Sequence, residues 1–119
     1  MNIKSRITIT AAILFLANAA YACDYPRRAN LPNGSTASKD EMLAGQSSVK
    51  AYMASMEEYL ACIDTEEKAS VAALVDPSDD DLAQREAAIA KKHNAAVEEM
   101  ELVAAQFNSE VQAYKAQGN

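Results

Sequence analysis

The sequence predicts an all-α fold: an antiparallel two-helix hairpin with an extended N-terminal arm stapled to the first helix by a disulfide. Three observations carry that expectation. Two long segments, about 38–75 and 78–117, each open on a serine followed by acidic residues and then repeat apolar residues in a 4-3 spacing. Only Asp76-Pro77 separates them, and so short a link forces neighbouring helices to run antiparallel. The third is a single pair of cysteines, one at each end of a stretch that includes all of the arm.

Residues 1–22 have the three parts of an export signal. Lys4 and Arg6 make a positive start, Ile7 to Ala20 form an uncharged apolar run, and Ala20-Tyr21-Ala22 gives the small-x-small pattern of a cleavage site. The expectation is cleavage after Ala22 and a mature chain beginning at Cys23, located in the periplasm or secreted. The apolar run falls short of the roughly 20 residues a spanning helix needs, and no second run follows, so no membrane insertion is expected of the mature form. A cysteine at the first mature position also permits a rival, lipoprotein anchoring at Cys23. Lipoprotein signals carry Leu and then a small residue where this chain has Ala20 and Tyr21, and lipidation would strand Cys62 as a lone thiol in an oxidising compartment. Pairing of Cys23 with Cys62 is the preferred reading.

Charge excludes one function class. Loss of Lys4 and Arg6 leaves 9 of the 11 basic residues against all 17 acidic ones, a formal charge of −8 compared with −6 for the full chain. Such a surface repels phosphate backbones, so no nucleic-acid partner is expected. About 97 residues make one domain with a modest core, a size at which a covalent staple is useful.

The arm, residues 23–37, holds two of the three prolines and no apolar periodicity, and reads as extended. The first helix starts at Ser38, three residues before Glu41, in the pattern of a capping box. Its seam runs Met42, Val49, Met53, Met56, Leu60, Ile63 and Leu74, with Tyr52 and Tyr59 beside it. The seam is poorest from Asp64 to Ser70, so a break near Thr65–Ser70 is one expectation. The second helix starts at Ser78, with Asp79, Asp80 and Asp81 in its first turn to complement the helix dipole. Its seam runs Leu82, Ile89, His93, Ala96, Met100, Val103, Phe107 and Tyr114, in coiled-coil spacing.

Distance ties arm to helix. Ser38 to Cys62 is 24 residues of helix, about 36 Å, and the 15 residues from Cys23 to Ser38 reach at most about 50 Å when extended. The arm can therefore turn at Pro32-Asn33-Gly34 and run back along the first helix until Cys23 meets Cys62. Tyr25, Pro26 and Leu31 then cover the groove between helices, while Arg27 and Arg28 are expected either to bind an acidic partner or to pair with Glu57, Glu58 or Glu66 on the first helix.

Candidate chemistry is sparse. His93 is the only histidine and lacks metal-ligand partners at i+3 or i+4, where Ala96 and Val97 stand. A packed, hydrogen-bonded seam histidine is expected. The run from Asp76 to Asp81 misses the glycine and glutamate of a calcium loop, and helix capping accounts for it. Met53, Met56 and Met100, with Tyr52 and Tyr59, form either an adaptable partner-contact surface or, at seam spacing, the filling of a helical core. No catalytic constellation is present, and neither a cofactor nor a metal is expected.

At Cys-Asp-Tyr-Pro (23–26), Leu-Pro-Asn-Gly-Ser-Thr-Ala (31–37), Glu41-Met42 and Tyr59-Leu60-Ala61-Cys62, the chain resembles a group of small exported proteobacterial helical proteins to which no activity is attached. The likeness covers Cys23 to about Asp64. It implies export and supports the Cys23–Cys62 pairing, and it supplies no activity. The expected function is a non-enzymatic periplasmic or secreted interaction or structural protein that associates with itself as a dimer or with another envelope protein. Alternatives are a holdase-like envelope chaperone or stress protein, and a small-ligand or metal-binding module using the cleft under the arm.

Overall fold

The computed structural model describes residues 23–118, so the expected signal peptide lies outside the described residues. Two helices, α1 (Lys39–Ala72) and α2 (Asp79–Lys115), are the only regular elements among the described residues, and they form the antiparallel hairpin. At 1.5 Å per residue they are about 51 and 55 Å long.

Both helices begin where the sequence says they should. The Ser38 hydroxyl accepts the Glu41 N–H at 3.2 Å, and the Ser38 N–H donates to the Glu41 carboxylate at 2.6 Å. Ser78 and Asp81 repeat the arrangement, at 3.1 Å and 3.4 Å. Each box satisfies N–H groups that a helix start leaves without partners. The bonds from Ser38 hold the Glu41 carboxyl below its ordinary value, with the backbone bond leading. Asp81 is likewise lowered, first by the Ser78 side chain and then by its backbone.

The first helix stops three residues earlier than the apolar spacing predicts. Ala73 N–H bonds Ala69 O at 3.2 Å, Leu74 N–H bonds Val71 O at 3.1 Å, and Asp76 turns left-handed with φ 52°. Pro77 has no N–H to donate and disfavours helical geometry in the residue before it, so the tightening begins upstream. The second helix ends at Lys115, two residues short of the expected 117.

No break interrupts α1 at Thr65–Ser70. The weak stretch of seam is bridged instead by polar pairs. Asp64 Oδ1 lies 2.7 Å from His93 Nε2, and Arg85 Nη1 donates to both Glu67 oxygens at 3.1 and 3.2 Å. Glu66, Glu67, Lys68 and Ala69 are also good helix formers in their own right.

The core sits in the part of the hairpin away from the linker. Tyr52, Met56, Ala96 and Val103 are its buried centre, and Met56 and Val103 are completely enclosed. Val49, Met53, Leu60 and Met100 pack around it from the helices, and Ala29 and Leu31 pack on it from the arm. Ala96 opposite these large side chains lets the helices approach closely. Burying a side chain of the size of Met56 contributes roughly 1.5–3 kcal/mol.

Candidate functional site

The arm lies in the groove between the helices, and its course can be followed residue by residue. Cys23 is bonded to Cys62, with their Cα atoms 5.8 Å apart. The Tyr25 ring meets the edge of Tyr59 at a centroid distance of 5.0 Å and 72°. Arg28 then crosses to α2, where its Nε lies 3.1 Å from Glu99 and its Nη2 donates to Gln106 at 2.9 Å. Leu31 seals the core, Pro32 rests on Gly45, and Asn33 to Thr36 form the turn that leads into Ser38. From Gly45 to Cys62 is 17 residues of helix, about 26 Å. Pro32 back to Cys23 is nine residues, about 30 Å when extended. The two tracks match, so the arm needs no slack.

Two glycines make the fit possible. A Cβ on Gly45 would stand 2.5 Å from Pro32 Cδ and 3.3 Å from Phe107, so the arm crosses α1 where a side chain is missing. A Cβ on Gly34 would stand 1.8 Å from the main-chain oxygen of Glu110. There the turn presses directly on α2, and the Gly34 N–H donates to the Glu110 carboxylate at 2.6 Å. Gln117, just past α2, donates to the carbonyls of Gly34 and Ala37, the latter at 3.2 Å. The arm is thus held at one end by hydrogen bonds and at the other by a covalent bond.

The pairing with α1 expected for Arg28 is corrected here. Arg28 binds Glu99 and Gln106 on α2, not an acid on α1, because the arm rides in the groove and projects this side chain over the second helix. Beneath that ion pair lies the Tyr52 hydroxyl, buried and without a hydrogen-bond partner. Burial pushes its pKa up, the neighbouring Tyr25 and Glu99 push it further, and Arg28 opposes them. Tyr25 is raised for a similar reason, burial first and then Glu99 and Tyr59.

The residues singled out as a contact surface divide. Tyr52 is 4% exposed and Met56 0%, so both belong to the core, and neither is available to a partner while the hairpin is closed. The reason is register: with Ala96 opposite, these two are the large side chains that fill the helix–helix gap. Met53, Tyr59 and Met100 are half-buried at its edges. His93 is hydrogen-bonded on the seam, as expected, and Asp64 is the partner. Of the aspartates that follow Asp76, Asp81 completes the cap of α2 and Asp79 and Asp80 lie in its first turn.

Sequence reasoning placed Gly34 in the turn and read Gly45 only as a helix cost; it did not find their contacts with Glu110 and Pro32, nor Gln117, since these depend on which part of the arm lies over them. It also passed over one juxtaposition whose signal was visible. Glu66 is one helical turn from Cys62, and its carboxylate and both cysteine sulfurs lie within 4.8 Å of one another. No helix among the described residues is long and apolar enough to cross a membrane. Comparison with protein-family models, with curated proteins and with solved structures returns no match.

Proposed function

We propose that this protein is a non-enzymatic interaction or structural element that works outside the cytoplasm, in the periplasm or secreted fraction, through the outer faces of its helices. The observation that carries the reading is the occupancy of the groove. The inner face of the hairpin, where a bundle would build a ligand site, is filled by the chain's own arm. What remains for others is outside. Ala51, Ala54 and Ala61 of α1 and Ala83, Ala87 and Ala90 of α2 are exposed at 4-3 spacing, and so short a side chain lets another helix come close. Leu43, Val97 and Leu102 add larger apolar side chains, 41–51% exposed. Export supplies the oxidising compartment that the disulfide needs.

The partner is a second copy of the chain or another envelope protein. Native mass spectrometry of the protein expressed with its own signal reports cleavage, disulfide, any lipid and oligomer in one measurement. A dimer, or a defined complex recovered by cross-linking in the envelope, supports the reading. A strictly monomeric mass at every concentration, with no partner recovered, overturns it. The holdase alternative gains nothing from the structure, because Met42 and Met56 are buried and Met53 and Met100 half-buried, so the methionine face is used inside the hairpin.

A further inference from the structure

We propose that, when the staple is reduced, Cys23, Cys62 and Glu66 become a binding site for one zinc-class divalent ion, which then holds the arm where the disulfide held it. The three donor atoms already lie within 4.8 Å of one another, and all three residues are half-buried at the foot of the arm. Two thiolates and a carboxylate are ligands that Zn²⁺ accepts in a tetrahedral shell, with solvent completing the fourth position. In such a shell, with Zn–S near 2.3 Å, the sulfurs stand about 3.8 Å apart. Cα atoms 5.8 Å apart meet that spacing by side-chain rotation, without moving either backbone.

The setting suits a cation and an open coordination position. Glu58, one turn on the other side of Cys62, lines the cleft beside the two cysteines together with Asp24. Arg27 lines it as well and opposes them, leaving the acids in the majority. The reaction balances simply. A dithiol gives two electrons and two protons to the Cys23–Cys62 bond, is itself oxidised to a disulfide, and leaves two thiols on the protein. Binding of the ion then releases one proton from each thiol to solvent. The carboxylate of Glu66 brings the ligand charge to −3 against +2 on the ion. The arm is closed in both states, by a covalent bond in one and by an ion in the other. Reduction without the ion is the condition that releases residues 23–28.

The test uses the full mature chain, reduced and freed of reductant under inert gas. Cd²⁺ is the spectroscopic probe, through its thiolate-to-metal charge-transfer band, and Zn²⁺ affinity is read by competition with a chromophoric chelator. Trypsin cleavage after Arg27 and Arg28 reports whether the arm is docked. The expected result is one ion per chain, a band that appears only after reduction, and Zn²⁺ affinity weakened about tenfold or more by Glu66→Gln, since losing a direct ligand costs at least the roughly 10–100-fold that losing an outer-shell partner does. Zn²⁺ should slow cleavage of the reduced arm, and a chelator should restore it. Oxidised Glu66→Gln that closes its disulfide and keeps its far-ultraviolet circular dichroism separates a lost ligand from a lost fold. No band after reduction, one ion shared by two chains, or unchanged affinity in Glu66→Gln overturns the proposal.

Discussion

Replacing Gly45 by alanine should destabilise the protein, against the direction that helix propensity alone would give. In an exposed helix interior, Gly→Ala is worth about 1 kcal/mol of added stability. Here the new Cβ would lie 2.5 Å from Pro32 Cδ, 2.7 Å from Pro32 Cγ and 3.3 Å from Phe107 Cε2. The Phe107 ring can give by a few tenths of an ångström, but the Pro32 ring is fused to the backbone, so the arm itself must lift. Overpacking of this kind costs about 1–3 kcal/mol. Set against the propensity gain, the net is a loss of about 1 kcal/mol, and a melting temperature lower by about 4–8 °C for a chain of this size. Urea unfolding followed by circular dichroism measures it, in a cycle with Pro32→Ala, which removes both close carbons. In the Pro32→Ala background the Gly45→Ala change should turn stabilising, giving a coupling of at least about 1 kcal/mol. Gly45→Ala that stabilises the unmodified chain, or a cycle without coupling, would refute the arm's placement over α1.

Three further outcomes are expected. Cys23→Ser with Cys62→Ser removes a link between residues 39 apart in sequence; the chain-entropy model gives a loss of about 4 kcal/mol, measured by urea unfolding of the oxidised parent against the variant. Tyr52→Phe removes a buried hydroxyl that has no partner, so stability should hold or rise by up to about 1 kcal/mol, and a loss of more than about 1 kcal/mol would mean the hydroxyl is hydrogen-bonded after all. Glu41 and Asp81 have carboxyl pKa values lowered by folding, so their contribution is present above the ordinary carboxylate range and lost as pH falls through the lowered values. Helix stability should therefore decline below about pH 4, and Glu41→Gln with Asp81→Asn should flatten that acid limb in a pH series of thermal melts.

The elements were legible because their signals are local. Ser38-Lys-Asp-Glu41 and Ser78-Asp-Asp-Asp81 each write a helix start within four residues, and the 4-3 spacing needs only one turn of context. The staple was legible because a chain with two cysteines allows one intramolecular pairing, and the arm is long enough to make it. Continuity through Asp64–Ser70 was not, because the residues that bridge the gap, His93 and Arg85, come from the other helix. The end of α1 was read too late, since Leu74 keeps the seam spacing although Pro77 has already forced the chain out of helix. Gly45 is the sharpest case. Counted along one helix it is only an entropic cost, and its purpose exists only once Pro32, 13 residues upstream, is laid across it.

The staple also sets a gradient along the rod. Cys62 lies well short of the end of α1, which runs on to Ala72. From Lys39 to Cys62 the hairpin is therefore three chain segments thick and covalently closed. The part beyond it, toward the linker, has only two helices, joined by the buried Ile63 and by polar pairs whose partners are about a quarter to nearly half exposed. Residues 63–95 can then open and reclose as a cooperative unit of their own, while the closed ring from Cys23 to Cys62 keeps the arm and the start of α1 together. Amide hydrogen exchange would record this as two tiers of protection, with the lower tier at the linker end.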